Sequence, residues 1–179
     1  MDKIRQKTIW TIGHSTRSME EFLSLLKSIN IELVADIRSY PGSSRYPHFN
    51  KKSLEISLPE NTIGYIHFKN LGGRRKPAPD SINTAWRNAA FRGYADYMQT
   101  NSFEEEIKEL EKIALKTNTA YMCSEAVWWR CHRALVSDYL KVKGWKVMHI
   151  MALDKEDEHP FTSAARISNG KLSYEIAMH

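Results

Sequence analysis

Cysteine and long hydrophobic runs are both scarce in this sequence. Its only two cysteines, Cys123 and Cys131, are too few for a disulfide scaffold. No stretch of about 18 apolar residues occurs, so the sequence predicts no membrane span. Its first residues also lack the apolar core of a secretory signal peptide. We therefore expect a cytoplasmic protein that does not bind membranes.

The common nucleotide-binding motifs are missing as well. Neither the G-x-x-x-x-G-K-S/T pattern of a phosphate-binding loop nor the G-x-G-x-x-G pattern of a dinucleotide site is present. An ordinary ATPase or a dinucleotide-dependent dehydrogenase is thus disfavoured. No cofactor can be named from the sequence.

The composition is that of an ordinary globular protein. The chain has 179 residues, of which 42% are hydrophobic and 26% charged, so we expect one α/β domain over residues 1–179. The net charge of +5 permits an anionic partner, although an excess of this size is common on proteins with no such partner.

Short β-rich runs alternate with helical ones, which is typical of βαβ units around a parallel sheet. We predict a Rossmann-like, three-layer α/β fold with a mostly parallel central sheet. A C-terminal hairpin should turn at Asn169 and Gly170. The predicted strands are residues 8–12, 32–38, 63–68, 120–123 and 146–152.

Helix ends are indicated by local signals. A capping box at Ser18 and Glu21 should open the first helix, and Ser102 with Glu105 should open another over residues 102–116. Pro59 is expected to end a helix over residues 51–58. The remaining predicted helices are residues 93–100 and 131–143.

Ligands of open parallel sheets bind beyond the carboxyl ends of the strands. The polar residues that follow the predicted strands are therefore the candidate site. The candidates for acid, base or nucleophile are His14, Asp36, Cys123 and Glu125.

Arginine is concentrated in the same connections. Eight of the eleven arginines lie between residues 38 and 133, and the arginine side chain suits phosphate or carboxylate. The candidate anion-binding residues are Ser15, Arg38, Arg45, Arg74, Arg130, His132 and Arg133. An anionic small molecule or a nucleic acid is the expected partner.

The same residues could instead have structural roles, and other functions are also consistent with them. Asp36 is best explained as the partner of a neighbouring arginine, and either cysteine could be a small buried hydrophobe. Cys123 and Cys131 could also form a redox-active dithiol. A metal set that adds His132 and His14 is disfavoured, because the spacing matches no zinc pattern and His132 should diverge from Cys131 on a helix. A non-catalytic nucleic-acid-binding or adaptor protein is a further alternative.

Six motifs in order resemble the bacterial and archaeal family called domain of unknown function 488. They are TIGHSTRSMEEF, VADIRSYPGSSRYPHFN, LGGRR, the WRN followed by FRGYADYM, MCSEAVWWRCHR and HPFTSAARISNGKLSY, and they extend from Thr8 to about Tyr174. The resemblance implies a small Rossmann-like α/β domain without an established activity. Its signature positions match Gly13, His14, Ser15, Asp36, Arg38, Arg45, Phe49, Asn50, Gly72, Gly73, Arg92, Gly93, Cys123, Glu125, Cys131, His132 and Arg133.

Overall fold

The computed structural model describes residues 5–177. The strands are β1 (Thr8–Gly13), β2 (Leu33–Asp36), β3 (Gly64–His67), β4 (Thr119–Cys123), β5 (Lys146–Ala152), β6 (Lys155–Glu158), β7 (Arg166–Ser168) and β8 (Lys171–Ser173). The α-helices are α1 (Met19–Ser28), α2 (Lys51–Glu60), α3 (Ala89–Tyr97), α4 (Asn101–Ala114) and α5 (Arg133–Val142).

Six strands form the central sheet in the order β3-β2-β4-β1-β5-β6. The first five strands in this order pair in parallel, and β6 runs antiparallel to β5. Strands β7 and β8 form a separate hairpin, in which Asn169 and Gly170 both have positive φ as an Asn-Gly turn requires. The predicted α/β class, parallel sheet and C-terminal hairpin are confirmed.

Helices cover both faces of the sheet. Successive strand residues point to opposite faces, and adjacent Val34 and Ala35 of β2 accordingly belong to different hydrophobic clusters. Helices α1 and α2 pack on the Val34 side, where Phe22 is fully buried. Helices α3, α4 and α5 pack on the Ala35 side, where Phe103 and Leu135 are fully buried. This is the predicted three-layer arrangement.

Capping explains where the helices begin. The Ser18 and Glu21 capping box is present at α1 as predicted. The predicted start of α4 at Ser102 is wrong, because the hydroxyl of Thr100 accepts the backbone N–H of Phe103 and the helix starts at residue 101. Helix α3 likewise begins earlier than predicted, since the side chain of Asn88 accepts two backbone N–H groups of the first turn.

Two other predicted boundaries are wrong. Pro59 lies inside α2, which continues to Glu60, since a missing N–H in the last turn removes only one helical hydrogen bond. Helix α5 begins at Arg133 and not at Cys131, because Cys131 has an extended backbone with φ of −138° and ψ of 170°.

The antiparallel edge strand β6 was not predicted from the sequence. All four of its residues, KEDE, are exposed, so the strand shows no apolar alternation that could reveal it. Among residues 5–177, no helix is both long enough and apolar enough to cross a membrane.

Candidate functional site

The backbone register brings three strand ends together. Gly13 of β1 is opposite Cys123 of β4, and Asp36 of β2 is opposite Met122 of the same strand. The chain leaves β1 toward α1 on one face and leaves β4 toward α5 on the other face. In an open α/β sheet, this reversal opens a crevice between the loops at the carboxyl edge.

The crevice contains a cavity of about 540 Å³. Its volume lies within the usual range of small-molecule sites. Seven of the candidate residues from the sequence line it: His14, Ser15, Arg38, Arg74, Cys123, Glu125 and His132. The structure thus brings together residues that lie as far as 118 positions apart along the chain.

Arg38 is held in place beside the cavity. Its Nε and Nη2 donate to the two carboxylate oxygens of Asp36, at 2.8 and 2.6 Å, and Nη2 also donates to the carbonyl of Phe49. The hydroxyl of Tyr65 also donates to the carboxylate of Asp36. Asp36 is fully buried and does not line the cavity, so it positions Arg38, as the arginine-tying interpretation predicts.

His14 is neutral and has both ring nitrogens occupied. Nη1 of Arg38 donates to Nε2 over 3.2 Å, so Nδ1 carries the proton and donates to the carbonyl of Ser15 over 2.9 Å. Burial lowers the pKa of His14 from 6.5 to about 4, and the charge of Arg38 acts in the same direction. The ring stacks on Phe49 at 4.3 Å between centroids. In this arrangement His14 orients Arg38, and neither of its ring nitrogens is free to bind a ligand.

Two thiols and an imidazole meet at the floor of the cavity. The ligand atoms of Cys123, Cys131 and His132 all lie within 4.8 Å of one another, and the three side chains are buried. A hydrogen bond from Cys131 lowers the pKa of Cys123 well below its usual value against the effect of burial. Burial raises the pKa of Cys131, and so does its hydrogen bond to Cys123. The pair therefore favours one shared proton and one thiolate on Cys123.

The expectation that His132 diverges from Cys131 on a helix is wrong. Both residues precede α5, and the extended backbone of Cys131 turns both side chains toward Cys123. His14 is not part of this three-residue group. Neighbouring residues diverge when both are helical, but Cys131 has an extended backbone, so this divergence does not occur here.

The remaining candidates do not line the cavity. Arg133 is almost fully buried, and its guanidinium donates to Thr11, to Cys131 and to the carbonyl of Glu125. Arg45 and Arg130 are exposed on the surface outside the cavity. Arg130 therefore does not share the cavity with Cys123.

A buried chain of polar side chains behind the cavity floor was not predicted from the sequence. Thr11 donates to Nδ1 of His149, Nε2 of His149 donates to His159, and His159 donates to Asp138 over 2.8 Å. Arg133 donates to Thr11 at the other end, and with neutral imidazole rings all donors in the chain run in one direction. A signal was present, since His149 and Asp138 are polar residues at core positions of an apolar strand and an apolar helix.

Two glycines allow the loops to approach closely. A Cβ atom on Gly13 would overlap the backbone carbonyl of Glu125, which accepts a hydrogen bond from Arg133. A Cβ atom on Gly73 would lie 3.0 Å from Nδ1 of His132. Only glycine leaves this space open.

The fold and the site define an α/β domain with a cavity at the carboxyl edge of a doubly wound sheet. The chain belongs to the family described as Domain of unknown function DUF488, whose model matches residues 18–140. The matched range begins after His14 and Ser15 and ends within α5, so it is narrower than the resemblance in sequence suggested. Neither the curated proteins nor the solved structures include a significant match to the chain.

Proposed function

We propose that this protein is an enzyme-like domain that binds an anionic, phosphate-bearing small molecule of nucleotide size in the cavity. One observation carries the proposal: the same cavity combines the cations Arg38 and Arg74 with the reactive side chains Cys123 and Glu125. Cation and reactive group in one concave site are what binding and chemistry on an anion require.

Arg74 is the main contact that we assign to the anion. It is exposed at the cavity wall, and no hydrogen bond or ion pair of its side chain occurs within residues 5–177. Arg38 is less available because Asp36 balances its charge and its bonds to Asp36, Phe49 and His14 use four of its five N–H groups. The fifth N–H, on Nη1, remains for a ligand.

The chemical groups of the site have distinct roles in this proposal. Glu125 exchanges protons with the ligand, and Cys123 presents its sulfur at the floor. His14 keeps Arg38 in place through Nε2. The hydroxyls of Ser15 and Ser43, which also line the cavity, add neutral donors for phosphate oxygens.

A binding experiment with a matched control tests the proposal. Isothermal titration with AMP and with inorganic phosphate should show one site, and Arg74→Ala should weaken binding at least about tenfold through loss of a charge-assisted contact. Arg45→Ala removes an equal charge outside the cavity and should leave the affinity unchanged. If neither probe binds, or if the two variants weaken binding equally, the proposal is wrong.

A thiol redox protein is the second candidate, and the proximity of Cys123 and Cys131 favours it. We also propose a cytoplasmic location, because two free thiols side by side suit a reducing compartment. Oxidation with diamide should then remove both titratable thiols from the monomer and leave its mass lower by two hydrogens. Two thiols that persist under the same treatment would exclude this candidate.

A further inference from the structure

We propose that Cys123, Cys131 and His132 bind a zinc ion at the floor of the cavity, with a fourth coordination position open to the cavity. The two sulfurs and Nδ1 of His132 lie within 4.8 Å of one another, and all three residues are buried. Thiolate and imidazole together are the donor set that zinc prefers. This inference goes beyond the anion site and does not depend on it.

The tautomer of His132 is already the one that a metal needs. Nε2 lies 2.8 Å from the carbonyl oxygen of Ile37, which can only accept, so Nε2 carries the proton. In the neutral ring Nδ1 therefore keeps its lone pair, and it faces the sulfur of Cys123 at 4.0 Å. A histidine whose second nitrogen donates to a backbone carbonyl is the usual arrangement in metal sites.

Two donors of Arg133 and the carbonyl oxygen of Trp128 contact the sulfur of Cys131. The backbone N–H of Arg133 donates to it at 3.4 Å, and Nε of Arg133 donates at 3.3 Å. Such contacts stabilise a metal-bound thiolate in a buried place. Zinc binds both sulfurs as thiolates, so binding releases the proton that the two sulfurs share, and two thiolates and Zn²⁺ form a neutral unit.

The three ligand atoms, which lie within 4.8 Å of one another, must approach by about 1 Å at most to bind one zinc ion. Tetrahedral zinc places a sulfur and a nitrogen ligand about 3.6 Å apart, so the 4.0 Å between Cys123 and His132 must shorten by only about half an ångström. Gly73 keeps the space next to Nδ1 free, because a Cβ atom there would lie 3.0 Å away. Since all three residues also line the cavity, the fourth position faces it and can take water. An open position distinguishes catalytic from closed structural zinc sites.

Metal retention tests the inference directly. The full chain, reduced and freed of metal with a chelator, is mixed with equimolar Zn²⁺, passed over a desalting column and analysed for zinc. We expect one equivalent in the unaltered chain and in His48→Gln, a histidine outside the cluster. Cys123→Ser, Cys131→Ser and His132→Gln should each weaken zinc binding by more than the roughly 10–100-fold typical of an outer-sphere partner.

Cobalt provides a second measurement that needs no variant and does not depend on variant folding. Co²⁺ added to the unaltered chain should produce the near-ultraviolet thiolate-to-metal charge-transfer band and the visible bands of tetrahedral coordination, and Zn²⁺ should abolish both. Substoichiometric zinc in the unaltered chain, absence of the charge-transfer band, or retention unaffected by Cys123→Ser would overturn the inference. AMP titration of the metal-free chain reports on the anion site separately, so failure of one proposal is distinguishable from failure of the other.

Discussion

The guanidinium of Arg38 donates from Nη1 to Nε2 of His14 over 3.2 Å. From its opposite edge, Nε and Nη2 donate two hydrogen bonds to the carboxylate of Asp36. This contact requires an unprotonated Nε2, so a cation fixes the tautomer of a neutral histidine. The carboxylate of Asp36, which lies outside the cavity lining, balances the charge of Arg38. Asp36 therefore acts on the site without lining it.

Asp36→Asn should destabilise the protein strongly. The substitution leaves the charge of Arg38 buried without its partner, and loss of one member of a buried ion pair typically costs about 3 kcal/mol in the free energy of unfolding. Urea unfolding measures the loss. Glu104→Gln, which breaks the exposed pair with Lys108, is the matched control and should produce no measurable change. Equal effects of the two substitutions would contradict the assigned role of Asp36.

Acid should destabilise the fold through His149. Burial lowers the pKa of His149 from 6.5 to about 2, and the charge of Arg133 acts in the same direction. Because the folded pKa is the lower one, protons favour the unfolded chain below pH 6.5, and stability is complete only above it. The contribution of His149 to the free energy of unfolding should fall by about 1.4 kcal/mol per pH unit below 6.5.

Urea unfolding between pH 7 and pH 5 checks this slope. His149→Gln replaces the ring by an amide that does not titrate, so its stability should decline less steeply with acid than that of the unaltered chain. His14, whose pKa is also lowered by burial, contributes to the pH dependence of the free energy of unfolding in both proteins. Identical slopes would show that His149 does not titrate as its burial implies.

Gly13→Ala should lower the melting temperature. The added methyl group overlaps the carbonyl of Glu125 and forces the loop after β4 away from β1, at a cost of about 2 kcal/mol. For a chain of this size, such a loss lowers the melting temperature by about 6 °C. Gly42→Ala is the control, since a Cβ atom there meets no atom within 4 Å. A melting temperature of Gly13→Ala equal to that of the control would refute the close approach.

Salt distinguishes the small-molecule site from a nucleic-acid surface. Exposed Arg45, Trp129 and Arg130 lie outside the cavity and could contact a backbone or a base. If several phosphates are contacted, the affinity for a single-stranded oligonucleotide should fall by orders of magnitude between about 50 and 200 mM salt. Fluorescence anisotropy measures it. No binding at low salt would exclude this alternative, and Arg130→Ala should weaken any binding that does occur.

Sequence signals for the fold were reliable wherever they were local or repetitive. The five parallel strands, the capping box at Ser18 and the Asn169-Gly170 turn follow from apolar periodicity and backbone chemistry within a few residues. Exact helix starts were less certain, because Thr100 and Ser102 both offer a hydroxyl and only the final backbone geometry selects one. Strand β6 lacked a signal because its side chains are all exposed.

The amino-acid sequence by itself determined the α/β class and the polar residues that stand at the strand ends, since both depend on local pattern. Tertiary structure alone decided which of them meet. Sheet order places β4 between β1 and β2, so Cys123 approaches His14, and the extended backbone before α5 turns His132 toward both sulfurs. The same packing buries Arg133 in the core, where its guanidinium donates to the carbonyl of Glu125 in the loop after β4. Distances between residues that are remote in the chain depend on packing, which no local pattern encodes.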